Sequence, residues 1–373
     1  MHIVVVGCGF AGLEAARRLR KQAKELEITM IDRKPRFDYQ PAYPELLSGK
    51  VTPDEISCDL NPFATKIRAE FIHAEVVTLD LQAKKVKTEA TMGGKGGDIP
   101  YDFLLLAIGA EQTFFGIPGA GEHSCSVNTL KNTIATKNAL DNLDYPQKNV
   151  ILVIGAGLTG VEVAGELVDY FRGKAAPVSI YLVEMMPRIL PALPKEKIAT
   201  YVSRFLSHRG VEILTETAVQ EINERKIVFK DGRELAYDRI IWTAGIKPNR
   251  LLESLDVPKV KGWLKVDSYL RVDGMHDVFA VGDTALFDDE GVRSGQNVEE
   301  ANRQGKVAAE NIIRAMKGKK LKRYRPKNTI QNPRALISLG EDKGVMYLRG
   351  MMVRVFAYRL KKFVEHRYMR SFR

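Results

Sequence analysis

The sequence predicts an α/β protein built from two Rossmann-like units and a basic C-terminal segment, and three observations carry that expectation. A strand, glycine turn and helix at the start of the chain recurs from Asn149 onward. Between the copies, strand-like runs such as Leu26 to Ile31, Phe71 to Val77 and Phe103 to Ala107 alternate with helical ones. At 373 residues and 45% hydrophobic, the chain is long enough for two cores, because a single core stops growing at roughly 250 to 300 residues.

The first copy reads His2-Ile-Val-Val-Val-Gly7-Cys8-Gly9-Phe10-Ala11-Gly12-Leu13-Glu14, and the second Val150-Ile-Leu-Val-Ile-Gly155-Ala156-Gly157-Leu158-Thr159-Gly160-Val161-Glu162. One such turn alone is a weak signal; two in the same strand-to-helix setting are a strong one. Gly7 and Gly155 permit the tight turn after a buried strand. Gly9 and Gly157 let backbone N–H groups approach a pyrophosphate, and Gly12 and Gly160 let the helix pack closely. The helix N-terminus adds partial positive charge for phosphates.

Each copy is followed by a second strand that ends in an acid. Asp32 lies 25 residues after Gly7, and Glu184 lies 29 residues after Gly155. A carboxylate there accepts hydrogen bonds from a ribose and disfavours a 2′-phosphate, so the second site is expected to prefer NADH over NADPH. Arg188, close by, leaves that preference open. Two more strand-and-turn segments, Phe103-Leu-Leu-Leu-Ala107-Ile108-Gly109 and Asp277-Val-Phe-Ala-Val-Gly282-Asp283, separate a flavin fold from a pair of simple nicotinamide domains. Asp283 opens a turn where a carboxylate can bind flavin hydroxyls.

The expected organisation is an FAD-binding domain from residues 1–112 and 254–335, an NADH-binding domain from 113–253, and a basic amphipathic segment from 336–373. Met92 to Gly97 reads as a turn by composition, and Tyr145 to Lys148 as a linker. Cys8, Cys58 and Cys125 form neither a C-x-x-C pair nor a ligand cluster, so no disulfide framework or metal site is expected, and a reducing cytoplasm fits best. No signal peptide is expected, and no apolar run approaches the ~20 residues of a spanning helix.

Net charge is +11, but the basicity belongs to the tail. Arg314 to Arg373 carry 18 Lys and Arg against three acids, leaving 39 bases against 43 acids elsewhere. At 100° per residue, Met352, Val353, Phe356, Leu360, Phe363 and Val364 share one face. Arg354, Arg359, Lys361, Lys362 and Glu365 fall elsewhere. This is the pattern of a helix lying in a lipid interface beside anionic headgroups. Docking on the protein's own core or a homodimer contact would use the same stripe; nucleic acid is not expected, since no reading module is present.

In its series of motifs the chain resembles the two-dinucleotide-binding-domain flavoproteins, most closely the type II NADH:quinone oxidoreductases. The series runs Gly7-x-Gly9-x-x-Gly12, Ala107-Ile-Gly109, Gly155-x-Gly157-Leu-Thr-Gly160-Val-Glu162, Trp242-Thr-Ala-Gly245, Val281-Gly-Asp283 and the basic tail. The resemblance implies FAD on the first turn, contacted by Phe10, Ala11, Asp32, Arg33, Ala107, Gly109, Gly282 and Asp283. It implies NADH on the second turn, contacted by Thr159, Glu184 and Gly245. Glu162 is expected to reach toward the nicotinamide and flavin.

The resemblance further implies a peripheral enzyme on the cytoplasmic face of the membrane, passing hydride from NADH to FAD and two electrons to quinone. Gln40-Pro-Ala-Tyr43-Pro-Glu45-Leu46 resembles the family's loop near the quinone entrance. The chain departs from the pattern where relatives carry an Ala-Gln and a further Gln: it reads Val298-Glu299-Glu300-Ala301-Asn302-Arg303-Gln304. Glu299 and Gln304 are the expected acceptor-facing residues there. Soluble ferredoxin-type reductases, sulfide:quinone enzymes and a non-turnover flavin sensor share the outline; the missing later cysteine argues against sulfide chemistry.

Overall fold

Two sheets form where the sequence places its β-branched runs, the second parallel throughout and the first parallel except for an antiparallel extension at one edge. The computed structural model describes residues 1–91, 96–144, 147–174 and 177–372, so most of the Met92 turn and part of the Tyr145 linker lie outside the described residues. The first sheet takes β1 (His2–Val6), β2 (Glu27–Asp32), β3 (Glu70–Asp80), β4 (Lys85–Ala90), β5 (Gly97–Pro100) and β6 (Phe103–Leu106). The second takes β7 (Cys125–Ser126), β8 (Asn149–Ile154), β9 (Val178–Val183), β10 (Val211–Leu214) and β11 (Arg239–Trp242). The chain then returns to the first sheet with β12 (Val278–Ala280), giving the order β12-β6-β1-β2-β3-β4-β5. The second sheet has the order β7-β11-β8-β9-β10.

In each sheet the glycine-bearing strand is central and parallel to both neighbours. Val6 pairs with Ile31 and Leu106; Ile154 pairs with Val183 and Trp242. Ile3, Val4 and Val5 have no exposed surface, as expected of parallel strands covered on both faces. Helix α1 (Phe10–Gln22) follows the first turn, the short α2 (Tyr43–Ser48) follows later in the first unit, and α3 (Leu158–Arg172) follows the second turn. Helix α4 (Val298–Met316) starts at Asn297, whose side chain caps the Glu300 N–H, and covers α1. That contact is close enough that a Cβ on Gly305 would sit 2.3 Å from the Ala11 carbonyl oxygen.

The tail departs from its expected form. Met351–Val353 is a strand (β15) that completes an antiparallel sheet with β13 (Ala335–Gly340) and β14 (Lys343–Leu348), so Met352 and Val353 are not helical. Helix α5 begins at Ala357 and runs to Arg370, preceded by Phe356 at φ +58°. It packs on β13 and β14, burying Ala357, Lys361, Glu365 and Met369, one residue per turn. Lys361 and Glu365, expected off the apolar stripe with the basic side chains toward headgroups, point inward instead. Phe356, Leu360, Phe363 and Val364 stay exposed. Periodicity defines two faces of a helix; which one turns inward depends on what the body offers it.

Candidate functional site

Both glycine turns have the same backbone construction. Gly7 and Gly155 each adopt φ +96°, a conformation open to glycine and costly for other residues. Each also donates its N–H to the neighbouring strand, Gly7 to the Ile31 carbonyl and Gly155 to the Val183 carbonyl, both at 2.8 Å. A Cβ on Gly12 would lie 1.9 Å from the Gly7 oxygen, and one on Gly160 would lie 1.8 Å from the Gly155 oxygen. Gly9 and Gly157 face open space, with no atom within 4 Å of an added Cβ. Each turn therefore has its second glycine bare on the side where a pyrophosphate would lie.

The strand-end acids are held in parallel fashion. Asp32 accepts from the Cys8 N–H at 2.7 Å and the Lys34 N–H at 2.9 Å. Glu184 accepts from the Ala156 N–H at 2.8 Å and the Met186 N–H at 2.9 Å. Burial pushes the Asp32 carboxyl up, opposed by those two N–H groups. Gly7, Asp32, Arg33 and Ile108 line a cavity of about 420 Å³ together with Asn249, Arg250 and Leu251. That is room for the adenosine portion of a dinucleotide.

At the far end of the first sheet, Gly109 donates to the Thr284 hydroxyl at 2.9 Å, joining the β6 turn to the Gly282–Asp283 turn. Gly282, at φ +65°, donates to the Gln304 side-chain oxygen at 2.6 Å, while the Gln304 amide nitrogen meets Ser294 at 3.0 Å. Gln304 is thus engaged at both ends inside the protein, where it holds the Asp283 turn. Glu299 stands half-exposed and pairs with Arg334 at 3.1 Å. Burial pushes the Asp283 carboxyl up to about 6. Gly245, at φ +72°, leaves space taken up by the Phe115 ring, which an added Cβ would meet at 2.2 Å.

Glu162 sits on the first turns of α3 and is buried. It accepts from the Ser338 N–H at 3.0 Å and from the Lys361 ammonium at 2.7 Å. Lys361 also lies 3.4 Å from Glu45 on α2, and Lys362 bridges Glu45 at 2.8 Å and Glu365 at 2.7 Å. Burial alone would lower the Lys361 pKa, but Glu162 and Glu45 outweigh it and hold the ammonium above its ordinary value. Burial pushes Glu365 up against the pull of Lys362. An ionic cluster thus ties both nucleotide units to the inner face of α5.

A family profile described as pyridine nucleotide-disulphide oxidoreductase matches residues 1–305. The chain belongs to that family. Among curated relatives, a type II NADH:quinone oxidoreductase of Staphylococcus saprophyticus is 27% identical over 397 aligned positions, covering 98% of this chain and 94% of the relative. A probable mitochondrial NADH-ubiquinone oxidoreductase of Schizosaccharomyces pombe is 29% identical, covering 98% of this chain and 71% of the relative. Among solved structures, the sulfide:quinone oxidoreductase of Aquifex aeolicus superposes with a TM-score of 0.87 at 20% identity, covering 100% of this chain and 91% of that one. NDH2 of Plasmodium falciparum superposes with a TM-score of 0.83 at 17% identity, covering 98% and 96%.

The fold brings the expected residues into two groups. Gly7, Gly9, Phe10, Ala11, Gly12, Asp32 and Arg33 surround the first turn; Gly155, Gly157, Thr159, Gly160 and Glu184 surround the second. Sequence reasoning missed Lys361, Ser338 and the role of Glu45. Glu45 had a partial signal in its loop. Lys361 had none, since its partners lie in segments remote from it in the chain.

Proposed function

We propose that this chain is a flavoenzyme that draws hydride from NADH and delivers two electrons to a quinone at a membrane surface. The observation that carries this reading is the pair of glycine cradles in one chain, each with a strand-end acid held at the same place. The names of the type II relatives, which pair NADH with quinone, point the same way.

The first cradle fits FAD: Gly9 is bare on the side assigned to the phosphates and Asp32 and Arg33 line the cavity assigned to the adenosine. The turns that carry Ala107, Gly109 and Asp283, joined by the Gly109–Thr284 hydrogen bond, are assigned to the ribityl chain. FAD, once bound, supplies the two-electron chemistry. The second cradle presents Gly157 and Thr159, both exposed, to the NADH pyrophosphate, and Glu184 to its ribose. Fixing two reactants in register removes a large entropic barrier, roughly 7 to 11 kcal/mol for well-oriented pairs. Glu162, held by Ser338 and Lys361, places a fixed charge and a proton-bearing ammonium between the two units. Sulfide oxidation requires thiols beside the flavin, and no cysteine follows Cys125.

The membrane reading rests on α5 and the strand before it. Met351, Val353, Val355, Phe356, Leu360, Phe363 and Val364 are all exposed, and the exposed Arg349, Arg354, Arg359 and Arg367 are interspersed with or flank them along the chain, Arg359 lying over the Phe356 ring. Among the described residues no helix is long and apolar enough to cross a membrane. An apolar patch rimmed by arginine fits an anionic bilayer surface.

Anaerobic mixing of the purified yellow protein with NADH, then with menaquinone or ubiquinone analogues, tests the reaction. Flavin absorbance is expected to bleach and then recover; persistence of the oxidised spectrum after NADH would defeat the proposal. Replacing Leu360, Phe363 and Val364 together by Glu is expected to abolish co-sedimentation with anionic vesicles while NADH still bleaches the flavin. Unchanged co-sedimentation would remove the membrane assignment. Point substitutions suit this test better than deletion, which would also remove Lys361 from Glu162.

A further inference from the structure

Residues 185–193, which follow Glu184, carry Arg188, which stands four residues after the acid just as Arg36 stands after Asp32. Arg36 pairs with Asp54 at 3.0 Å and Asp59 at 3.2 Å, whereas Arg188 has no such carboxylate partner among the described residues. Arg188 donates to three backbone carbonyls: Leu190 at 3.2 Å, Pro191 at 3.4 Å and Leu193 at 2.6 Å. Ile189, Leu190 and Leu193 are buried in the core of the second unit. Leu190 adopts φ +51°, a left-handed conformation that is unfavourable for a non-glycine residue. Such a residue persists only where its surroundings over-determine it. A planar guanidinium with several donors can gather adjacent carbonyls in a way that a single ammonium cannot.

The loop so gathered bears directly on the second cradle. Leu190 donates its N–H to the Ala156 carbonyl at 2.8 Å, and the Ala156 N–H donates to Glu184 at 2.8 Å. The residue between Gly155 and Gly157 is therefore clamped through both its backbone polar groups, one from the acid and one from the loop that Arg188 organises. Gly157 and Thr159, which would meet the pyrophosphate, follow immediately.

We propose that Arg188 is a positioning residue for the dinucleotide of the second cradle, acting through the Leu190–Ala156 contact, and that it offers no cation to a ribose 2′-phosphate. The inference rests on the assignment of that cradle to NADH. It deepens that assignment by naming a residue that shapes the cradle from outside it.

The test uses the FAD-loaded enzyme; the titrations need no acceptor, and the turnover measurements use a water-soluble quinone analogue. Calorimetric titration of the oxidised wild type is expected to show binding of ADP-ribose and no competing binding of 2′,5′-ADP. Arg188→Met is expected to weaken ADP-ribose binding roughly tenfold, about 1.4 kcal/mol, and to raise the KM for NADH in parallel while kcat changes less than about twofold. Arg188→Lys is expected to recover little, because one ammonium cannot span three carbonyls.

If Arg188→Met raises the KM for NADPH more than that for NADH, Arg188 is a phosphate ligand and the inference fails. Tight binding of 2′,5′-ADP to the wild type overturns it without recourse to any variant. ADP-ribose affinity that survives Arg188→Met overturns it alone. Absence of ADP-ribose binding to the wild type overturns the NADH assignment and the inference together.

Discussion

Glu14 and Glu162 occupy the same place in the two copies of the glycine motif, two residues after the third glycine, and the fold treats them differently. Glu14 pairs with Arg17 on its own helix and lies 3.7 Å from Lys306; those cations are 36% and 54% exposed. Glu162 is held by Lys361, whose side chain is 7% exposed and which is supplied from 199 residues away. The turns differ in the same sense. Phe10 and Ala11 are buried under α4 and an aromatic cluster that includes Tyr368, while Leu158 and Thr159 are exposed. One sequence motif thus yields a covered cradle, suited to a cofactor that stays, and an open one, suited to a nucleotide that exchanges.

The largest expected effect breaks the acid comparison. Lys361→Met strands a buried carboxylate and is expected to cost roughly 3 to 5 kcal/mol in urea unfolding, whereas Arg17→Met is expected to cost about 1 kcal/mol or less because its ion pair is open to water. Equal losses would mean that the two acids are equivalent after all. Next come the glycines: Gly12→Ala and Gly160→Ala each drive a methyl into a backbone oxygen, an overpacking cost of roughly 1 to 3 kcal/mol. The Gly12 variant is expected to purify colourless, and the Gly160 variant yellow but not bleached by NADH. Reversal of those phenotypes would exchange the two cofactor assignments.

A smaller effect sharpens the contrast in cover. Tyr368 packs with Phe10 at 5.2 Å and Tyr39 at 5.6 Å between ring centroids, contacts worth about 1 kcal/mol each beyond buried area. Tyr368→Ala is expected to speed FAD loss in mild denaturant severalfold; an unaltered release rate would show that the aromatic cluster does not close the first cradle. The smallest effect concerns Asp283, whose carboxyl burial raises to about 6 from an ordinary value of about 3.9. A raised carboxyl favours the neutral form, so its contribution to stability is full below about pH 4 and is lost as pH rises through about 6. Thermal melts of the flavin-free protein should therefore show Asp283→Asn gaining more Tm at pH 7 than at pH 4 relative to wild type. A gain that does not depend on pH would show that the carboxyl titrates normally.

Much of the geometry of the two glycine turns was legible because its rules are local. A positive φ at Gly7 and Gly155, a bare approach at Gly9 and Gly157, and close helix packing at Gly12 and Gly160 each follow from a missing Cβ within a few residues. The tail was half legible. Its apolar stripe is exposed at Phe356, Leu360, Phe363 and Val364, as a lipid-facing stripe requires, but the helix starts later than expected and buries Lys361 and Glu365 on its other face. Gln304 shows the same limit: its place on α4 was evident, yet its amide reaches inward to Gly282 and Ser294. Helical spacing sorts residues into faces without naming the neighbour that each face meets.

Taken alone, the residue order determined the two strand-turn-helix units, their acids at Asp32 and Glu184, and the amphipathic character of the tail, because chirality, backbone sterics and periodicity act over a handful of positions. Only the folded chain decided that Lys361 lies inside against Glu162 and Glu45, and that Arg188 is engaged by carbonyls. A charge can be buried only where a counter-charge or a set of dipoles already waits, and those partners are assembled by packing between distant segments.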